Sequence, residues 1–258
     1  MPNYQYCIVE DEGRIRIVTL NRPSVLNAMH SEAHWELDGV WNEFAANPDL
    51  WVGIITGAGE RAFSAGNDLK VQAAGRRTPR PATGFAGLSH RFDLEKPLIA
   101  AVNGIAMGGG FETALACDII IAAENAVFAL PEPRVGLIAG SGVHRLPRML
   151  PQKHALGMLL TGRRVSAEEG QRLGFVNEVV PAGEALAAAK RWAAQILECS
   201  PMAIRATKQS VYRSLDEPTL QQAMTTTYPA VQANLDSEDY IEGPRAFSEK
   251  RRPDWKNR

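Results

Sequence analysis

The residues best suited to chemistry are two glutamates, Glu112 and Glu132, and the glycine run Gly108-Gly109-Gly110. An apolar stretch at 98–102 leads through Asn103-Gly104-Ile105-Ala106-Met107 into the three glycines. A helix-compatible run, 111–116, follows, with Glu112 in its first turn. The first N–H groups of a helix lack internal partners and carry partial positive charge. Glycines, having no Cβ, let a ligand approach them. The result is a site for an anion, or for an oxygen that becomes anionic during reaction. The run would equally serve close helix–strand packing alone.

Glu132 lies twenty residues on, between Pro131 and Pro133. The prolines remove local N–H donors and stiffen the turn. A carboxylate desolvated there would have a raised pKa and could pass protons near neutral pH. Two carboxylates beside a polarised carbonyl suit addition or removal of water at a neighbouring double bond. One orients the water and the other gives or takes the α-proton. Either glutamate taken alone fits an exposed surface position better. A second glycine turn, Ser64-Ala65-Gly66-Asn67-Asp68, can supply a further N–H, so that two segments together make an oxyanion hole. It also reads as an ordinary turn.

Other signals exclude more than they offer. Gly57-Ala58-Gly59 lacks the third glycine and the helix of a dinucleotide fingerprint, and no P-loop is present. His30, His34, His90, His144 and His154 form no dense ligand cluster, so no metal site is expected. Gly140-Ser141-Gly142 is not a nucleophile elbow. The 258 residues are 45% hydrophobic, enough for a sizeable core. A net charge of −1 argues against a general nucleic-acid binder. Three scattered cysteines, Cys7, Cys117 and Cys199, point to a reducing, cytoplasmic setting. The N-terminal residues lack the pattern of a signal peptide, and no apolar run is long enough to span a bilayer, so no membrane role is expected. The basic end, with Lys250, Arg251, Arg252, Lys256 and Arg258, reads as a solvated tail or a phosphate contact.

These residues must be positioned by the elements around them. A hairpin is predicted over 4–10 and 14–20, with Asp11-Glu12-Gly13 as its turn. Ser31 is the expected N-cap of a helix to about 46, and 51–56 reads as a buried strand. A short strand precedes the Ser64 turn, and 75–87 reads as a mobile loop. Strands at 118–122 and 126–129 follow the glycine helix, then a loop at 136–142 and helices at 143–150 and 153–160. Ser166 with Glu169 makes a capping-box pattern, and 175–180 reads as a strand. Beyond 182 only helices are predicted: 182–198, 201–214, 218–234 and 237–248. Strand–strand–helix units followed by an all-helical end place the chain in the α/β class.

The pairing of Phe63-Ser64-Ala65-Gly66-Asn67-Asp68-Leu69 with the segment from Asn103 to Glu112 resembles the enoyl-CoA hydratase/isomerase (crotonase) superfamily. So do Asn21-Arg22-Pro23 and Phe128-Ala129-Leu130-Pro131-Glu132, and the likeness covers nearly the whole chain. Within it, Gly84-Phe85-Ala86-Gly87-Leu88, Thr161-Gly162-Arg163-Arg164 and Glu242-Gly243-Pro244 resemble the carnitinyl-CoA dehydratase (crotonobetainyl-CoA hydratase) branch.

The resemblance implies a spiral of ββα turns over 1–199. It also implies a helical region, 200–258, that builds a homotrimer or a homohexamer made of two trimers. An acyl-CoA thioester would lie with its carbonyl oxygen between the backbone N–H groups of Asn67 and Gly109. Glu112 would orient water for attack at Cβ, and Glu132 would protonate Cα. Ser24, Val25, Leu26, Ala28, Ala65, Asp68 and Leu69 would contact coenzyme A. Phe247 and Lys250 would reach it from a neighbouring subunit. Coenzyme A is part of the substrate, and no separate cofactor is implied. Isomerase, hydrolase or non-catalytic CoA-binding members share the fold; the pair of carboxylates favours the hydratase. Two departures from the pattern stand out. Asn67 replaces the alanine usual in straight-chain hydratases, and the loop 136–146 is one residue short. His144 and the 75–87 loop are placed to tune acyl choice.

Overall fold

The computed structural model describes residues 4–73 and 79–258. The chain opens with the hairpin β1 (Cys7–Glu12) and β2 (Ile15–Leu20), turning at Gly13 with φ +59°. Helix α1 (Ser31–Ala46) follows. Three strand–strand units come next. They are β3 (Val52–Gly57) with β4 (Ala62–Ser64) and α2 (Leu69–Ala73); β5 (Leu98–Val102) with β6 (Ile105–Met107) and α3 (Gly109–Ala116); and β7 (Ile119–Ala123) with β8 (Val127–Ala129), leading to α4 (Gly142–Met149) and α5 (Gln152–Thr161). Then come β9 (Val165–Ser166), α6 (Ala167–Leu173), β10 (Glu178–Val180) and α7 (Ala185–Leu197). The end is helical: α8 (Pro201–Ser214), α9 (Leu220–Thr225), α10 (Pro229–Leu235) and α11 (Glu238–Ser248).

Each unit gives its first strand to one sheet and its second to another. The larger sheet has the order β1-β2-β3-β5-β7-β10, parallel except for the β1–β2 hairpin. The smaller has the order β4-β6-β8-β9, with β4, β6 and β8 parallel and β9 antiparallel. The central strands of the larger sheet are apolar on both faces because both are covered. Ile54, Ile99, Ala101 and Ile121 pack on the alanine face of α7, Ala185, Ala188, Ala189 and Ala193. Ile55, Ala100, Val102 and Ile120 face the core that includes Phe111, Phe128 and Phe175. This second core lies between the two sheets' connections and holds α3, the helix that carries Glu112.

Several boundaries differ from the sequence reading. The N-cap of α1 is His30, whose Nδ1 accepts from the Ala33 N–H at 3.3 Å, not Ser31. The expected helix over 218–234 is two helices. Tyr228 precedes Pro229 and is extended (φ −86°, ψ 138°), which the following proline ring enforces. The strand expected over 175–180 keeps only Glu178–Val180; the Phe175 and Val176 N–H groups turn back to the Gly170 carbonyl and close α6. Ser166 does cap α6, but the Glu169 carboxylate pairs with Arg163 at 2.7 Å.

Of the loop expected over 75–87, residues 75–78 lie outside the described residues. Its last part is fixed rather than mobile: Phe85, Ala86 and Gly87 form a buried turn against α1. There the Trp41 Nε1–H donates to the Ala86 carbonyl at 3.1 Å, and the Ala86 N–H donates to His34 Nδ1 at 3.1 Å.

The helical end is tied back to the rest. Lys208 on α8 pairs with Asp118 at 2.7 Å and donates to the Lys96 carbonyl at 2.9 Å. Trp255 and Asn257 of the tail donate to the carbonyls of Glu198 and Pro48 at 3.0 and 2.9 Å.

Candidate active site

Strands β4, β6 and β8 run parallel and side by side, with Ser64 opposite Ala106 and Met107 opposite Ala129. Their carboxyl ends therefore release three segments at one edge of the small sheet: Ala65-Gly66-Asn67, Gly108-Gly109 and Pro131-Glu132. Distances show how closely these segments meet. Gly66 has φ +89°, and a Cβ there would stand 2.6 Å from the Met107 carbonyl oxygen and 3.0 Å from the Gly109 nitrogen. Gly108 has φ +53°, and a Cβ there would stand 2.7 Å from Glu132 Oε1. Side chains at these points would push the turns apart. Gly109 opens α3, so its N–H points out of the helix start.

Glu112 lies in the first turn of α3 and is 5% exposed. Its Oε1 accepts from the Ser141 N–H at 2.6 Å, the Gly142 N–H at 2.7 Å and the Ser141 hydroxyl at 3.2 Å. These donors are at the start of α4, where the helix dipole also favours negative charge. All three bonds fall on one oxygen, so the carboxylate is fixed in direction. Sequence reading noted the 136–146 loop as one residue short and missed this grip. The available signal was Gly140-Ser141-Gly142 ahead of a helix, a source of free N–H groups.

Glu132 begins a 3₁₀ turn, Glu132–Val135, directly after Pro131. Burial raises its carboxyl from 4.5 to about 7, and the nearby charge of Glu112 adds to the rise. Its Oε2 is buried and has no hydrogen-bond partner among the described residues. Such a group holds or releases a proton near neutral pH. One carboxylate fixed as an acceptor and one poised to exchange a proton thus stand beside two glycine turns.

The segments expected to meet coenzyme A fold into one ribbon. Ser24 and Val25 lie in a 3₁₀ turn, and Leu26 and Asn27 both have φ +55°. Asn27, which sequence reading passed over, holds this ribbon. Its side chain accepts from the Arg22 N–H at 2.9 Å and donates to the Ala58 and Ala62 carbonyls at 3.0 and 2.8 Å. The ribbon lies along the Ser64 turn. The Ala65 N–H donates to Leu26 at 2.9 Å, the Met29 N–H to Gly66 at 2.8 Å and the Asp68 N–H to Met29 at 2.8 Å. Arg22 Nη1 donates to the Ala28 carbonyl at 2.5 Å and pairs with Asp68 at 3.4 Å. Leu69, exposed, begins α2 beside it.

Phe247 and Lys250 are not brought to this ribbon by their contacts. Phe247 is 87% exposed at the end of α11, and the Lys250 N–H closes on the Phe247 carbonyl at 3.2 Å. Their neighbour Arg251 is paired with Glu242 and Glu249 at 2.6 Å each. Lys256 and Arg258 pair with Asp254 and Glu238.

Among the described residues no group of three or more His, Cys, Asp or Glu could hold a metal ion. A cavity of about 810 Å³ opens between α4, α8 and residues 88–95, with Ser141 on its wall. It adjoins the loop that grips Glu112.

The family model for enoyl-CoA hydratase/isomerase matches residues 10–258. The chain belongs to this family. It is 46% identical over 256 residues to the carnitinyl-CoA dehydratase of Salmonella typhi, covering 95% of this chain and 96% of that one. It is 47% identical, with the same coverage, to the carnitinyl-CoA dehydratase of Escherichia coli strain SMS-3-5. Among solved structures, the enoyl-CoA hydratase of Mycobacterium tuberculosis H37Rv superposes with a TM-score of 0.92 at 37% identity, covering 98% of this chain and 99% of that one. The carnitinyl-CoA hydratase of Mycobacterium avium superposes with a TM-score of 0.79 at 40% identity, covering 99% and 100%. The crotonase-type ββα spiral that the resemblance implied is therefore the fold of this family member.

Proposed function

We propose that this member of the enoyl-CoA hydratase/isomerase family is a hydro-lyase that adds water to, or removes it from, the α,β position of an acyl-CoA thioester. The observation that carries this reading is the meeting of three strand ends. Two glycine turns and two carboxylates are delivered there to one edge of the small sheet. The thioester carbonyl oxygen lies between the N–H groups of Asn67 and Gly109, which stabilise the enolate as charge builds on that oxygen. Glu112, pinned through Oε1, directs a water at Cβ. Glu132 delivers a proton to Cα in hydration and removes it in dehydration, a role suited to a carboxyl titrating at about 7.

Coenzyme A runs along the ribbon of Ser24, Val25, Leu26 and Ala28 with Ala65, Asp68 and Leu69. Phe247 and Lys250 complete the site of a neighbouring subunit in a homotrimer or a pair of trimers, built by the 200–258 helices on the 1–199 spiral. The chemistry needs no metal and no cofactor beyond the coenzyme A of the substrate. No helix among the described residues is long and apolar enough to cross a membrane, and the scattered free cysteines fit a cytoplasmic enzyme.

The test follows the loss of conjugated enoyl-thioester absorbance with crotonyl-CoA and crotonobetainyl-CoA. The wild type consumes one or both, and Glu112→Gln and Glu132→Gln each lower the rate by about 10²–10⁴-fold. Bound but unreacted thioesters would refute the hydro-lyase reading.

A further inference from the structure

The acyl end of the proposed site carries a cation that the proposed chemistry does not use. Phe85 seals the site beside Gly109: a Cβ on Gly109 would stand 2.5 Å from the Phe85 ring. On Phe85 sits Arg80, with its guanidinium carbon 5.2 Å from the ring centroid. Arg80 makes no ion pair among the described residues, and its side chain is open to solvent. Burial of its inner part lowers the guanidinium pKa, and the charge of Glu112 opposes that shift, which places the guanidinium within electrostatic reach of the reacting centre.

The other groups around Phe85 do not cancel that charge. His34 packs on Phe85 at 4.3 Å between centroids and is fully buried. Its Nδ1 accepts from Ala86, so its hydrogen is on Nε2, and burial lowers its pKa to about 3. The ring is therefore neutral at pH 7. Glu112 attracts the guanidinium but is held away through Oε1 by three donors of the α4 start, and no hydrogen bond joins the two among the described residues.

We propose that Arg80 selects acyl-CoA thioesters whose acyl chain carries a carboxylate beyond Cβ, and disfavours those carrying a quaternary ammonium there. The inference rests on the acyl-CoA reading of the site and refines its substrate class. A guanidinium pairs with a carboxylate through parallel N–H···O bonds, and its own charge repels an ammonium at the same point. The carnitinyl thioester of the relatives' names bears a trimethylammonium group on the carbon after Cβ, so Arg80 sets this chain apart from that substrate.

The test uses three saturated thioesters of similar length, which bind without reacting: butyryl-CoA (neutral), glutaryl-CoA (anionic) and γ-butyrobetainyl-CoA (cationic). Affinities are measured by calorimetry for the wild type, Arg80→Met and Arg80→Glu. The wild type binds glutaryl-CoA about tenfold or more tighter than butyryl-CoA, and γ-butyrobetainyl-CoA more weakly than either. Arg80→Met brings the three within about threefold, and Arg80→Glu reverses the order. Wild-type affinities that do not follow charge, or an order that survives Arg80→Met, overturn the proposal. Hydration of crotonyl-CoA is followed in parallel. If the thioesters bind in the charge order but no enoyl-CoA is hydrated, the hydro-lyase reading fails and the charge selection stands.

Discussion

Replacing Glu132 by Gln should make the protein less active and more stable at once. Burial lifts the Glu132 carboxyl from 4.5 to about 7. At about 1.4 kcal/mol per pH unit, ionising it in the folded state costs at most about 3 kcal/mol. The side chain is only partly buried, and solvent screening brings the figure to about 1–2 kcal/mol. Between pH 4.5 and 7 the folded protein still holds a proton that the unfolded chain has released. Stability therefore falls as pH rises through that window and stays lower above it.

Gln carries no charge at any pH. The variant should match the wild type near pH 4.5 and exceed it by about 1–2 kcal/mol above pH 7. Urea unfolding at pH 4.5 and pH 8, at one protomer concentration, measures the difference. An equal difference at both values, or a less stable variant at pH 8, would refute the reasoning. The same titration shapes the rates. Hydration needs Glu132 protonated, so kcat/KM for crotonyl-CoA falls above about pH 7. Dehydration needs it ionised, so the reverse rate falls below that value. Two limbs of the same sign would exclude Glu132 as the α-proton carrier.

Three further outcomes follow from particular contacts. Gly109→Ala places a Cβ 2.5 Å from the Phe85 ring and displaces the N–H at the α3 start. Single-turnover hydration should fall about 10²–10³-fold, the usual cost of losing one oxyanion donor. Asn27→Ala removes a side chain that makes three hydrogen bonds, leaving buried backbone groups unpaired. It should cost about 2–4 kcal/mol in urea unfolding and raise KM for acyl-CoA more than it lowers kcat. Asp239→Ala frees the Ser200 hydroxyl and the Lys256 and Asn257 N–H groups, held at 3.0, 2.6 and 3.3 Å. Limited proteolysis should then cut the tail after 248, with about 2–3 kcal/mol lost overall.

What could be read in the sequence was local, and what could not was between distant segments. The glycines at 66, 108 and 109 announce themselves because a positive φ or a close approach admits no other residue, and the spacing of Gly108 and Gly109 from Glu112 is set within about one helix turn. The alternation of apolar strands and helices gave the ββα order for the same reason. The grip of Ser141 and Gly142 on Glu112 spans about thirty residues and depends on how α4 docks, which no local pattern encodes. The turn at Phe85-Ala86-Gly87 was misread as mobile because Gly, Pro and Arg dominate its surroundings. It is α1, through Trp41 and His34, that makes it rigid. The break at Tyr228 was legible in Pro229, which disfavours a helical residue before it.

The layout also explains why the fold is easier to infer than the substrate. Parallel strands lie about 4.8 Å apart, so three consecutive ββα turns release their loops within reach of one small group. The groups at those ends, backbone N–H donors and two carboxylates, suit the thioester and the adjacent double bond that every enoyl-CoA shares. Around those groups stand other elements: the turn at 85–87 beside Gly109, Arg80 over Phe85, and the loop ahead of α4 at Glu112. Arg80 itself is exposed and makes no ion pair among the described residues, so the charge there can change without cost to the spiral. A chain 46% identical to a carnitinyl-CoA dehydratase thus carries Arg80 over Phe85, and the proposal places that cation where the carnitinyl group would carry its own. Under the proposal made above, the acyl charge this chain accepts turns on that point, and Arg80 is the residue at which to change it.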